Sequence, residues 1–193
     1  MKSLIPRLAY LLVILFATSS AAADQFDATI KTFKESREGN QFFQSAYGYA
    51  VFPTIGKGGY GIGVAHGKGQ VYVEGKVTGK SAVTKVSVGA QVGGQAYSQI
   101  IFFEDKRAYD EFTSGNFEFS AQVSAVAITT GAQAQAGTAG KSASANPGAR
   151  DAGAQEAKYH KGMAVLVHAK GGFMYEASLG GQKYNFQPIK KAE

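Results

Sequence analysis

The sequence predicts an α+β fold, a predominantly antiparallel β-sheet or barrel-like core with an N-terminal helix and one short internal helix. Three observations predict it. From Gly48 to Gln95 there are 13 glycines, and the bulky residues between them recur at every second position, which is the period of a strand. Two segments break that rhythm, 24–37 and 104–115, and there the apolar residues recur at helical spacing. The chain has no cysteine, so no disulfide framework staples it, and its length suffices for one core held by packing.

Taken in order, the first residues carry Lys2 and Arg7, an apolar run from Leu8 to Ala17, and small residues suited to cleavage after Ala23. This is the pattern of a secretory signal peptide, and the run is well short of the ~20 residues of a membrane-spanning helix. Residues 1–23 are therefore expected to be removed, leaving 24–193 as a single domain in the periplasm or secreted. Removing Lys2 and Arg7 lowers the formal charge from +6 to +4. That mild basicity suits an anionic lipid or polysaccharide surface, and export argues against nucleic acid.

In 24–37, Phe26, Ile30 and Phe33 fall at i, i+4 and i+7, the stripe of a helix docked on a core, while Asp27, Lys31, Lys34 and Glu35 occupy the other face. Next come strands: Tyr60, Ile62 and Val64 alternate with glycines, followed by Val71 to Val73 and by Val86, Val88 and Val92. A strand with one bulky and one bare face predicts that another element packs close against the bare side, or that the sheet bends sharply there. Gly67-Lys68-Gly69 and Thr78-Gly79-Lys80 read as hairpin turns. The stretch 97–103, YSQIIFF, reads as a buried strand. Glu104 and Asp105 then start a short helix that Gly115 stops. Phe117, Phe119, Ala121, Val123, Ala125 and Ala127 read as one side of a long strand. Residues 129–158 contain no aromatic, Val, Leu or Ile and read as a mobile Ala/Gly-rich excursion. The core resumes at Met163 with a hairpin turning at Gly171-Gly172.

The stretch GKGGYGIGVAHG at 56–67 contains a literal GxGxxG at Gly56, Gly58 and Gly61. A dinucleotide site needs those glycines to end a strand and open a helix, whereas here they run into a period-2 strand, so phosphate cradling is rejected. His66, His160 and His168 have no metal-ligand spacing, Ser87 and Ser98 lack GxSxG, and no carboxylate pair stands in apolar surroundings. No catalytic residue, metal or cofactor is assigned, and the chain is expected not to be an enzyme.

Three blocks carry a family resemblance: AYGYAVFPTIGKGGYGIGVAHGKGQVYV, VGAQVGGQAYSQIIFFEDKRAYDEFTSGNFEFSAQVSAVA and KGGFMYEASLGG. Across residues 46–180 their order and spacing resemble the SYLF domain family, a set of lipid-binding and, in yeast, actin-binding domains with many exported bacterial members. The resemblance implies lipid binding in place of catalysis. In eukaryotic members that binding is associated with a basic amphipathic N-terminal helix, from which this weakly basic helix departs.

The expected partner is thus an anionic phospholipid membrane surface outside the cytoplasm. The candidate lipid contacts are Lys31, Lys34 and Arg37 on the first helix and Lys57, Lys68 and Lys80 at the glycine-rich turns. The alternative is a structural or adhesive interaction module of the cell envelope that associates with itself or with other proteins. An outer-membrane barrel is disfavoured, because the chain ends in QPIKKAE without a terminal aromatic.

Overall fold

The computed structural model of the chain describes residues 23–119, 125–128, 157–171 and 181–189. The signal-peptide reading, most of the Ala/Gly-rich tract and the second arm of the Gly171-Gly172 hairpin fall outside them.

The α+β expectation holds. Residues 23–35 form α1, followed by α2 (Arg37–Ser45), β1 (Gly48–Val73), β2 (Lys76–Phe103), α3 (Lys106–Phe112), β3 (Asn116–Glu118), β4 (Val126–Ala127), β5 (Met163–Gly171) and β6 (Gln182–Pro188). The single N-terminal helix predicted over 24–37 is two helices. The Ser36 hydroxyl donates to the Phe33 carbonyl at 2.8 Å and accepts from the Gly39 N–H at 3.0 Å, ending α1 and capping α2 at one residue. Gly39 is required there, because a Cβ would lie 2.0 Å from the Phe33 carbonyl oxygen. Arg37 therefore opens α2 instead of closing α1.

The glycine-rich half of the sequence forms one very long antiparallel hairpin. Its turn is at Glu74-Gly75, where φ is 51° and 73° and Val73 pairs with Lys76. Positive φ at both central residues is the twist a two-residue hairpin needs. The predicted turns at Gly67–Gly69 and Thr78–Lys80 are incorrect: both stretches lie inside strands, with Lys68 opposite Ala82 and Gln70 opposite Lys80. Lys57, Lys68 and Lys80 are consequently strand residues, not turn residues.

The hairpin folds over on itself. Register shifts fall between Phe52 and Ile55 and between Tyr60 and Ile62, and a Cβ on Gly59 would meet the Ile62 carbonyl at 2.0 Å. Beyond that bend the end of β1 returns against its own beginning. A Cβ on Gly67 would lie 2.8 Å from the Thr54 carbonyl, and one on Gly69 would lie 2.6 Å from the Phe52 ring. The predicted close approach on the bare glycine face is real, and the element that approaches is the same strand.

Folding over divides the sheet into two halves. In the first, 96–103 of β2 pair with the start of β1 on one side and with β5 on the other, and β4 joins β5 in parallel. In the second, 79–85 of β2 pair with the end of β1 and with β6, which takes β3. Of the predicted strand from Phe117 to Ala127, the described ends are β3, where Phe117 pairs with Tyr184 of β6, and β4, where Val126 pairs with Leu166 of β5; residues 120–124 lie outside the described residues. Alternation alone does not reveal that a segment changes neighbours. Strand β6 was not anticipated, although Lys183, Asn185 and Gln187 alternate with Tyr184 and Phe186.

Inner residues of both halves, including Phe52, Ile55, Ile101, Val83, Val165 and Tyr184, form one core with Ala108 and Phe112 of α3. The short internal helix is as predicted: the Asp105 side chain caps it through the Ala108 N–H at 2.8 Å, and Gly115 follows with φ of 121°. A second cluster lies outside the first half, where Phe33 of α1 and Phe42 of α2 pack on Val51, Ile100, Phe102 and Leu166. The N-terminal helices thus use their apolar stripe on their own core, each buried aromatic contributing roughly 1.5–3 kcal/mol.

Candidate functional site

Each sheet half has an inner face in the common core and an outer face, and among the described residues the helices pack on the outer face of the first half, reaching the second half at Tyr72. On the second half, period 2 sends alternate side chains to solvent. From β1 these are Ile62, Val64, His66 and Lys68, and from β2 Lys80, Thr84 and Val86 are equally exposed. Strand β6 adds Lys183, Asn185 and Gln187 opposite Thr84, Ala82 and Lys80.

This face is graded. At one end Ile62, Val64 and Val86 are 59%, 49% and 62% exposed, with Val64 directly opposite Val86. Exposed aliphatics clustered this way mark contact surfaces, whereas single ones do not. Next come His66 and Thr84, whose Nδ1 and Oγ1 are 3.4 Å apart. At the other end Lys68 and Lys80 are diagonal neighbours, since Lys68 faces Ala82 and Gln70 faces Lys80. About six residues of strand, roughly 20 Å, separate Ile62 from Lys68. Lys183 lies opposite Thr84, in the middle of the face, and beyond Gln187 the exposed Ile189 stands past Lys80. The acid that strand pairing brings onto this face is Glu118, 3.8 Å from Lys183, with side chains 48% and 73% exposed, and such a solvated pair contributes little.

The other predicted cations lie elsewhere. Lys31 and Lys34 of α1 and Arg37 of α2 are each exposed. Lys31 is 3.9 Å from Glu35, and the Lys34 ammonium lies 5.2 Å from the centroid of the Phe43 ring. Lys57 is half-buried opposite Gln95, close to the bend. The structure therefore unites Lys68 with Lys80 on the sheet and places the helix cations on a different layer. Lys183 was missed with its strand, and the aliphatic members of the patch became visible only when the pairing of Val64 with Val86 was known.

The interior contains a polar chain between the two halves. Gln99 donates from Nε2 to the Tyr184 hydroxyl at 2.7 Å, Tyr184 donates to Gln182 Oε1, and Gln182 Nε2 reaches the Tyr97 hydroxyl at 3.4 Å. Tyr184 is fully enclosed, and burial holds its hydroxyl well above the ordinary phenol pKa, opposed in part by the Gln99 bond. This chain fastens β6 to the far end of β2. Neutral amides and phenols in such an arrangement supply neither an activated nucleophile nor a base. Burial, with Lys170 nearby, lowers the pKa of His168, which favours its neutral form. At the corner where β1 meets its own beginning, Tyr72 stacks on Tyr49 at 5.0 Å, and burial, Tyr49 and Asp27 push its pKa up to about 12. Among the described residues no group of three or more His, Asp or Glu side chains gathers around a cation-sized space. None of the described helices is long and apolar enough to cross a membrane.

Residues 84–187 match the family model described as "Ysc84: Las17-binding protein actin regulator". That span begins inside β2 and ends in β6, so it takes in β2 from Thr84 onward, α3 and β6, and leaves out β1 and residues 76–83 of β2. The chain is also 28% identical over 160 residues to Beta cell expansion factor A of Aeromonas veronii, an alignment covering 81% of this chain and 52% of that protein. The chain thus spans about half the length of this relative.

Proposed function

This chain belongs to the Ysc84 (SYLF) family, a family of lipid-binding and actin-regulator-type domains, and on that premise we propose that it is a lipid-binding domain acting at an anionic membrane surface outside the cytoplasm. The observation that carries the reading is the juxtaposition of exposed aliphatics with lysines on one face of the second sheet half. Apolar side chains alone would suit a neutral partner, and lysines alone would suit any anion. Together they match an interface whose outer layer is anionic and whose next layer is hydrocarbon. The basic net charge supports the same partner, and the polar chain in the interior is accounted for as architecture without a reaction. Export, expected from the first 23 residues, would present the domain with anionic phospholipid head groups.

The test is co-sedimentation of the chain lacking residues 1–23 with phosphatidylcholine vesicles, with and without phosphatidylglycerol, at low and high salt. Pelleting is expected with the anionic vesicles, falling as the Debye length shrinks from ~10 Å at 0.1 M toward ~3 Å at 1 M salt. Equal pelleting on both lipids, or none on either, contradicts the reading.

A further inference from the structure

Resting on that lipid-binding reading, we infer that the membrane contact is the graded outer face of the second sheet half, and that the N-terminal helix layer faces away from the bilayer. The helices are the obvious alternative, since α1 is amphipathic and carries Lys31 and Lys34. Their packing argues against it. Phe33 is fully buried and Phe42 nearly so, both set on Val51, Ile100, Phe102 and Leu166, so docking the helices on lipid would require lifting them off their own core. The cations there are also mixed with Glu35 and Glu38, with Lys31 3.9 Å from Glu35.

The sheet face requires no rearrangement. Ile62, Val64 and Val86 already stand in solvent, roughly half to two-thirds exposed, and immersing them in the acyl boundary removes apolar area that folding has left wet. The strand direction then sets the orientation. With Ile62 and Val86 entering first, Lys183 of β6 follows at the level of Thr84, and Lys68 and Lys80 lie further along β1 and β2 on the same face, toward the level where phosphates lie. His66 and Thr84 occupy the intermediate depth, where an interface accepts polar groups. One anionic bilayer satisfies the whole gradient, with charge complementarity at one end and apolar burial at the other. A protein partner of uniform chemistry would satisfy one end only.

The experiment compares two variants of the full exported chain on vesicles of phosphatidylcholine with phosphatidylglycerol. One carries Lys68→Ala and Lys80→Ala; the other carries Lys31→Ala, Lys34→Ala and Arg37→Ala. All five side chains are exposed, and circular dichroism reports whether each variant keeps its sheet. The sheet pair is expected to weaken vesicle binding about 30-fold and to flatten its salt dependence, at roughly 1 kcal/mol per surface lysine. The helix triple should stay within about twofold of the parent. A loss confined to the helix triple, or equal losses in both, overturns the assignment of the face while leaving lipid binding intact. Absence of vesicle binding by the parent chain overturns the lipid reading itself, and the assignment with it.

Discussion

Gly69→Val is expected to unfold the domain or to cost it more than about 3 kcal/mol, although valine is among the best strand residues and Gly69 lies in a strand. The reason is the folded-over hairpin. A Cβ at position 69 would sit 2.6 Å from two carbons of the Phe52 ring and 2.7 Å from the Val51 carbonyl oxygen. Both residues are fully buried, so neither ring nor backbone has room to retreat. Gly56 is the internal control. It lies in the same strand with nothing within 4 Å of the position a Cβ would take, so Gly56→Val should be neutral or stabilising by a few tenths to ~1 kcal/mol. Urea midpoints of the two variants decide the matter. Equal effects at positions 56 and 69 would mean that the return of β1 onto itself is wrong.

Tyr184→Phe is the second large effect. The substitution keeps the ring, which touches Phe52 and Phe112 with centroids 5.5 Å and 5.3 Å away, and removes one oxygen. It leaves the Gln99 amide without its acceptor and Gln182 Oε1 without its donor, and Gln99 Oε1 is already without a hydrogen-bond partner. At ~1–3 kcal/mol for each buried group stripped of its partner, the loss is about 2–5 kcal/mol, read as a lowered urea midpoint at neutral pH. The variant also changes the alkaline limb. Burial raises the Tyr184 pKa above the ordinary phenol value near 10, so the folded chain holds that proton more tightly than the unfolded one. The resulting stability is fully present below pH ~10 and is lost as the pH rises beyond it. Tyr184→Phe should therefore lose less stability than the parent between neutral pH and pH ~11. A variant as stable as the parent at neutral pH would show that the polar chain does not fasten the halves.

How much of this was legible in the sequence follows from what local pattern encodes. The helices at 24–37 and 104–115 and the buried strand at 97–103 were visible because apolar spacing reports the face an element buries. The bare glycine face of β1 was visible for the same reason, since a strand that gives up its side chains on one side must admit something there. What the pattern does not encode is the partner. Nothing in Gly67-Lys68-Gly69 distinguishes a turn glycine from one kept bare by a crossing strand, until positive φ at Glu74 and Gly75 places the turn elsewhere. Likewise the alternation from Phe117 onward does not say that β3 belongs to β6 and β4 to β5. The candidate site was legible in part for the same reason. Lys68 and Lys80 stood out as cations among glycines, but that they are diagonal neighbours and share a face with Lys183, Ile62, Val64 and Val86 depends on cross-strand register. Helix cations and sheet cations look alike in sequence, and only the buried stripe of the helices separates them.

The chain contains no tryptophan, so a single one introduced on each surface reports directly which surface enters the membrane. Val86→Trp stands on the outer sheet face and Gln41→Trp on the exposed side of α2, both at solvent-exposed positions. On vesicles containing phosphatidylglycerol, the tryptophan at position 86 should shift its emission to the blue and be quenched by lipids brominated on their acyl chains, while that at position 41 keeps its emission in water. Blue shift and quenching at position 41 with none at position 86 would contradict the central claim.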